Sequence, residues 1–206
     1  MTGVPLSIAG GLPMAFAVAV VAYLIGSIPF GWILSRMAGL GDIRAIGSGN
    51  IGATNVLRTG RKDIAALTLA LDAAKGAVAV LATGYLAGPS WPLVAGVAAV
   101  IGHCTSIWMR GQGGKGGATG LGVILATAWP VGLACCAAWL AVAKLSRLSS
   151  AATLAAFALA PLLMLIWRGP AAAAATAVVS AIVFLRHSGN IRRLLAGTEP
   201  RIGQAR

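Results

Sequence analysis

The chain has 206 residues, of which 58% are hydrophobic and only 10% are charged, and its formal net charge at pH 7 is +12. So few polar residues cannot cover so much apolar side chain, which excludes a water-soluble globular protein and predicts an integral membrane protein in a lipid bilayer. The basic residues are spread over short segments beside apolar runs and form no recognisable nucleic-acid-binding module, so no nucleic-acid partner is expected.

Apolar runs of membrane-spanning length lie at residues 13–34, 64–86 and 91–109, and they continue almost without interruption to residue 186. About 20 helical residues are needed to cross a hydrocarbon core of ~30 Å. Alanine and glycine are abundant in these runs, which favours close packing between helices in a bilayer. The sequence therefore predicts an all-α integral membrane protein.

The positive charges indicate how the helices are oriented. The connection at residues 36–62 carries five Lys and Arg residues, which places it in the cytoplasm and the N-terminus outside. If residues 120–143 formed one helix, the basic C-terminal segment, including Arg201 and Arg206, would be external. A break at Trp129–Pro130 removes this conflict. We expect a seven-transmembrane helical bundle, with a periplasmic N-terminus and a cytoplasmic C-terminus, in which residues 1–206 form a single polytopic membrane domain.

The first polar connection contains the sequence GSGNIG at positions 47–52, followed by Asn55 and Arg58. Its glycine spacing matches a dinucleotide-binding fingerprint, but no strand or βαβ unit surrounds it. The same residues suit a phosphate, because glycines allow close approach of backbone amides, Ser48 and Asn50 donate hydrogen bonds, and Arg58 can bind phosphate oxygens in a bidentate manner. A glycine-rich turn is the structural alternative for this segment, residues 47–58, which we call the serine loop.

A second glycine-rich sequence, GQGGKG, occupies positions 111–116, which we call the lysine loop. It lacks the pattern of a nucleotide-binding P-loop, because Met109 and Gly116 stand at the positions of its first glycine and its magnesium-binding Ser or Thr. A nucleoside triphosphatase is therefore disfavoured. Lys115 between glycines places a mobile positive charge among exposed amides, which suits a phosphate. A plain basic connector is the alternative.

The sequence RHSGNIRR at positions 186–193 follows the last apolar run. The i, i+3 spacing of His187 and Asn190 predicts that they share one helical face. Basic clusters at a membrane interface often serve only as anchors. Because this cluster is expected on the same face as the serine and lysine loops, a functional role is an equal alternative.

Three ionisable residues lie inside the apolar runs. Asp72 and Lys75, at i, i+3, predict a structural ion pair that neutralises two costly charges, with an ion or proton relay as the alternative. His103 is predicted to form a hydrogen bond between helices.

No carboxylate stands five residues beyond either histidine, so the His-x4-Asp pattern of common acyltransferases is absent and no carboxylate is predicted beside His103 or His187. The chain has only four acidic residues in all. Chemistry at this face would therefore need a donor that is already activated, with the protein supplying position and positive charge.

Four segments, at positions 26–31, 47–58, 102–116 and 186–199, resemble in order and spacing the bacterial acyl-phosphate:glycerol-3-phosphate acyltransferase family (PlsY). The resemblance implies transfer of an acyl group from acyl phosphate, not from acyl-CoA or acyl carrier protein, to glycerol 3-phosphate. The product would be lysophosphatidic acid, in the first acylation step of phospholipid biosynthesis. It further implies a multi-pass protein of the bacterial plasma (inner) membrane, with the active site facing the cytoplasm and with no metal or cofactor. Transient contact with the soluble enzyme that produces acyl phosphate is an additional expectation.

The resemblance also implies which residues form the site. The expected catalytic residues are Ser48, Arg58, Lys115, His187 and Asn190. The expected substrate-binding residues are Gly47, Gly49, Asn50, Asn55, Gly113, Gly114, Gly116 and Ser150. An organic-anion or phosphate-ester transporter is the alternative function, although no internal repeat or midplane site is evident. A scaffold role in a membrane complex is a third possibility.

Overall fold

The computed structural model describes residues 11–203, and this part of the chain is helical. Its α-helices are α1 (Gly11–Ser27), α2 (Phe30–Met37), α3 (Ala53–Val56), α4 (Lys62–Leu86), α5 (Pro92–Cys104), α6 (Gly117–Thr127), α7 (Trp129–Ser146), α8 (Ser149–Arg168), α9 (Pro170–Arg186) and α10 (Ser188–Leu195). Single turns of 3-10 helix occupy Ile43–Ala45, Leu57–Thr59 and Ile107–Met109. The N-terminus, predicted to lie outside, and Arg206, predicted to lie inside, are beyond the described residues.

Several helices are long and apolar enough to cross a membrane. Within residues 11–203 there are five such segments, and α9 with α10 makes a sixth if this pair, bent by 63°, is counted as one span. Helix α6 is apolar but has only 11 residues, or about 16 Å, roughly half of a hydrocarbon core. The predicted all-α membrane architecture is therefore confirmed, whereas five or six segments meet the length criterion instead of the predicted seven.

Two prolines mark breaks between helices. The predicted break at Trp129–Pro130 is present, because Ala128 is extended and Pro130 lies in the first turn of α7, where its missing N–H costs nothing. A second break, which the sequence analysis did not predict, separates α1 from α2 at Pro29. It exposes the Ile28 carbonyl, which accepts a hydrogen bond from Lys75 Nζ at 2.7 Å.

Small residues bring the spanning helices into backbone contact, as the composition predicted. A methyl group on Gly26 of α1 would overlap the backbone of Ala99 in α5, and one on Gly122 of α6 would overlap Ala73 in α4. Such contacts are typical of helices that associate within a bilayer. They hold α1 against α5 and α4 against α6, and the polar loops extend from the ends of these helices.

Candidate active site

The polar segments singled out in the sequence meet at one end of the helical bundle. Lys115 Nζ, in the lysine loop, donates a hydrogen bond to Asn190 Oδ1 in α10 at 2.6 Å. The charge of Arg58, in the serine loop, acts on Lys115. The hydroxyls of Thr54 and Ser149, the first residue of α8, are hydrogen-bonded at 3.1 Å. The two loops, the start of α8 and α10 therefore share one polar region.

Asn55 organises the serine loop from inside. Its side chain is buried, and Nδ2 donates to the carbonyls of Ile43 and Ile46 at 2.9 and 3.0 Å. Its Oδ1 accepts hydrogen bonds from the backbone amide and the hydroxyl of Ser48 at 3.1 and 3.4 Å. The Asn55 amide, predicted to bind substrate, is thus used within the protein and fixes the backbone around Ser48.

The backbone conformation of the serine loop requires a glycine at position 47. Gly47 has a φ of +57°, and a methyl group there would lie 2.6 Å from both Arg58 Nη1 and Asn55 Oδ1. Arg58 therefore lies against the turn that carries Ser48. The Oδ1 of Asn50 accepts a hydrogen bond from the Gly52 amide at 2.8 Å, which closes the turn that leads into α3.

The lysine loop folds back on the end of α5. The amides of Gly113 and Gly114 donate to the carbonyls of Cys104 and His103 at 3.2 and 2.9 Å. From the other side, the Arg186 guanidinium donates to the carbonyls of Gly114 and Gly113, both at 3.1 Å. Sequence analysis gave Arg186 no role beyond its place in a basic cluster. The backbone on both sides of the loop is therefore fixed.

Lys115 stands immediately before α6. Gly116, with a φ of +85°, caps this helix without any side-chain hydrogen bond. The first amides of a helix lack intrahelical partners and carry partial positive charge. Together with the Lys115 ammonium, they form a place suited to a phosphate group.

Burial and neighbouring charges lower the pKa of Lys115 to about 8. Burial is the largest cause, and the positive charges of Arg193, Arg58 and Arg186 act in the same direction, while Glu199 opposes them. Lys115 is therefore cationic at neutral pH but loses its proton well below the range of an ordinary lysine.

Glu199, to which the sequence analysis gave no role, connects three parts of the site. It accepts hydrogen bonds from Ser150 Oγ, Asn190 Nδ2 and Arg193 Nε at 2.8, 2.5 and 2.7 Å. Burial acts to raise the pKa of Glu199, but these hydrogen bonds outweigh it and leave the pKa below its ordinary value. One feature of the sequence could have indicated a role for Glu199, because it is the sole acidic residue of the basic C-terminal segment.

His187 lies at the junction of α9 and α10 and caps α10, because its carbonyl accepts a hydrogen bond from the Ile191 amide at 2.8 Å. His187 and Asn190 therefore both belong to the first turn of α10, whereas the last span does not continue through them as one straight helix. The helix ends at Arg186 and the chain bends there by 63°, yet both side chains are buried beside the polar region. His187 Nδ1 is 2.8 Å from the Val183 carbonyl, which assigns the ring proton to Nδ1 and leaves Nε2 as an acceptor.

The expectation that no carboxylate lies beside a histidine was wrong. Asp72 Oδ1 is 3.7 Å from His103 Nδ1, although 31 positions separate the two residues. The ion pair of Asp72 with Lys75 is confirmed, at 2.7 Å, and both side chains are only 3% exposed. Spacing along the chain could not reveal the histidine contact, because it joins α4 to α5.

The site is suited to binding anions. Cations from both loops and from α9 and α10 surround it, together with the Ser48 hydroxyl and the first amides of α6. Within residues 11–203, no three His, Cys, Asp or Glu side chains lie close enough to hold a metal ion. Such a region can bind phosphate groups and stabilise developing negative charge.

Comparisons with known proteins agree with this arrangement. A family model described as glycerol-3-phosphate acyltransferase matches residues 16–197. The glycerol-3-phosphate acyltransferase of Maricaulis maris is 55% identical over 192 residues, which cover 93% of this chain and 89% of that protein. That of Gluconobacter oxydans is 56% identical over 191 residues, covering 89% of this chain and 91% of the relative.

Two crystal structures of PlsY, an integral membrane glycerol 3-phosphate acyltransferase, have a similar fold. The glycerol 3-phosphate form has a TM-score of 0.86 and 36% sequence identity, covering 92% of this chain and 96% of that one. The lysophosphatidic acid form has a TM-score of 0.84 and 35% identity, covering 91% and 94%. The residues matched by the family model include both loops, α8 and α10.

Proposed function

Since the chain belongs to the glycerol-3-phosphate acyltransferase family, we propose that it transfers the acyl group of an acyl phosphate to glycerol 3-phosphate. The observation that carries this proposal is the meeting of Lys115, Arg58 and Asn190 in one cationic region. Both substrates carry a phosphate, and the site offers two loops suited to that group. Glycerol 3-phosphate and lysophosphatidic acid, which identify the two forms of PlsY, are the expected acceptor and product.

An acyl phosphate is a mixed anhydride, so its carbonyl carbon is already activated. In the proposed reaction the hydroxyl oxygen of glycerol 3-phosphate bonds to that carbon, the bond from the carbon to the phosphate oxygen breaks, and inorganic phosphate leaves. The hydroxyl proton goes to the departing phosphate. The site therefore needs positive charge and exact placement more than a strong general base.

Each candidate residue receives a role from its position. Lys115 and the amides at the start of α6, beginning with Gly116, bind one phosphate, while Arg58, Ser48 and Asn50 bind the other. The amides of Gly49, Gly113 and Gly114, which were predicted to bind substrate, donate to carbonyls within the protein and shape the two loops. His187 Nε2 and Asn190 orient the acceptor hydroxyl. Asn55 holds Ser48, and Ser150 places Glu199. The acyl chain lies between helices, in contact with lipid.

The same geometry supports the predicted topology. Helix α6 begins at Gly117, two residues after Lys115, and α8 begins at Ser149, which is hydrogen-bonded to Thr54 of the serine loop. Helices α6 and α7 together therefore leave this end of the bundle and return to it. With α6 as a short span, seven spans place the N-terminus in the periplasm and the basic connections in the cytoplasm. The protein is then one domain of the bacterial inner membrane, with its active site open to the cytoplasm and to the soluble enzyme that supplies acyl phosphate.

The test of this function compares acyl donors. Purified protein in detergent is incubated with labelled glycerol 3-phosphate and with palmitoyl phosphate, palmitoyl-CoA or palmitoyl carrier protein. Labelled lysophosphatidic acid should form with palmitoyl phosphate alone. Equal product from the thioesters would contradict the proposed donor. Absence of product, with gradient-dependent uptake of label into proteoliposomes, would favour a transporter.

The pH dependence of kcat/KM should report the protonation state of Lys115. Because its pKa is about 8, kcat/KM for glycerol 3-phosphate should be flat near neutrality and fall about tenfold per pH unit above pH 8 as the ammonium is lost. Lys115→Arg should keep measurable activity and lack this decline, since a guanidinium stays charged. The same alkaline decline in both proteins would show that another group titrates.

Replacing Glu199 with glutamine should move that decline to lower pH. The Glu199 carboxylate raises the pKa of Lys115, so removing its charge favours deprotonation. Asp63→Asn is the matched control, because Asp63 pairs with Arg61 at an exposed position and is not among the groups that act on Lys115. If kcat/KM of Glu199→Gln still begins to decline at pH 8, the proposed electrostatic effect of Glu199 on Lys115 would be refuted.

A further inference from the structure

A buried polar cluster lies within the spanning helices directly behind the lysine loop. It consists of Asp72 and Lys75 in α4 and His103 in α5, which are 2%, 4% and 4% exposed. None of them has a role in the reaction proposed above. Replacing a buried ion pair with apolar side chains is often neutral or stabilising, so stability alone does not explain the cluster.

The positions of Asp72 and His103 are fixed by a series of contacts. Lys75 Nζ lies 2.7 Å from Asp72 Oδ1 and also donates to the Ile28 carbonyl at 2.7 Å, at the break between α1 and α2. The same Asp72 oxygen faces His103 Nδ1 at 3.7 Å. The carboxylate therefore lies between the Lys75 ammonium and the imidazole ring, and it packs beside the ring beyond hydrogen-bonding distance.

The opposite edge of the His103 ring contacts the lysine loop. A methyl group at Gly114 would overlap His103 Nε2, and the Gly114 amide donates to the His103 carbonyl at 2.9 Å. Gly114 is buried and precedes Lys115, while Arg186 binds its carbonyl from the other side. The backbone that leads into Lys115 thus lies between the His103 ring and the Arg186 guanidinium.

We propose that His103, packed between Asp72 and the lysine loop, is a positioning residue that holds Gly114 and thereby places Lys115 against its phosphate. This inference rests on the proposed function of Lys115. Displacement of a binding group by about 1 Å can cost roughly a hundredfold in rate, so a ring that defines the path of the loop has a large effect on turnover without touching substrate.

The test uses three substitutions of His103 in the full-length protein. His103→Ala should lower kcat/KM by about 10- to 100-fold. It should also move the alkaline decline above pH 8, because a loosened Lys115 gains water and its pKa rises. His103→Gln, whose amide reaches the Nε2 position beside Gly114, should recover most of the activity. His103→Asn, whose amide reaches only the Nδ1 position near Asp72, should not.

Ser180→Ala is the matched control, since it removes a buried hydrogen bond from α9 to the Phe157 carbonyl in α8 and leaves His103 and Gly114 unchanged. It should lower the melting temperature and leave kinetics and pH profile unchanged. Equal activities of His103→Gln and His103→Asn, or an alkaline decline that stays at pH 8 in His103→Ala, would overturn the inference. If His103→Ala does not fold, the comparison of activity between His103→Gln and His103→Asn tests the inference by itself. An inactive wild-type protein would instead refute the proposed function.

Discussion

Lys115→Ala should lose acyl transfer by roughly a thousandfold and keep the wild-type fold. Lys115 stands just before α6, and its ammonium donates a 2.6 Å hydrogen bond to Asn190. Charge-assisted contacts to phosphate are among the strongest in proteins. Alanine fits the loop, since the Lys115 backbone is not left-handed. The loss should be measured as kcat and KM for glycerol 3-phosphate, together with the melting temperature in detergent.

The control for this substitution is Lys144→Ala, which removes an exposed lysine from the last turn of α7. It changes the net charge by the same amount but removes no contact of the site, so its kinetics should match wild type. Wild-type turnover in Lys115→Ala would remove Lys115 from the mechanism. A similar loss of activity in both variants would indicate that the overall charge of the protein, and not the Lys115 contact, is responsible.

Asp72→Asn should destabilise the protein by about 3–5 kcal/mol. The substitution leaves the Lys75 ammonium without its partner in a place where both side chains are 3% exposed. An uncompensated charge in a buried site is costly, particularly inside a membrane protein. The melting temperature in detergent should therefore fall by on the order of 10 °C.

Asp63→Asn provides the comparison, because it breaks an ion pair with Arg61 whose side chains are 62% and 45% exposed. Exposed pairs contribute little to stability, so its melting temperature should stay close to wild type. Unchanged melting in Asp72→Asn, with activity lost, would show that the pair with Lys75 does not stabilise the fold.

Local sequence rules predicted much of the helical architecture. Long apolar runs and the proline at position 130 depend on the chemistry of neighbouring residues, and the corresponding spans and break are present. The break at Pro29 was missed because both sides of it are apolar. The bend at His187 was missed because nothing in its immediate sequence excludes a continuous helix.

The residue types that form the site could be predicted from the sequence, but the contacts between them could not. Glycine spacing and isolated cations identified the two loops and α10 as phosphate-binding candidates. By contrast, Asn55 faces inward, Glu199 joins Ser150 to Asn190, and Asp72 lies beside His103. The contacts of Glu199 with Ser150 and of Asp72 with His103 join residues far apart in the chain, so they follow from helix packing and leave no local pattern. The contacts of Asn55 and Asn190 are closer in sequence, but they depend on how the serine loop and the segment after α10 fold back.

We propose that one cationic site binds two phosphate-bearing substrates and moves an activated acyl group between them. A stoichiometric assay can test this on purified protein with radiolabelled glycerol 3-phosphate and unlabelled acyl phosphate, without a membrane gradient. We expect that all label enters lysophosphatidic acid and that one unlabelled inorganic phosphate is released for each product molecule. Phosphate release without lysophosphatidic acid, or product without phosphate release, would contradict it.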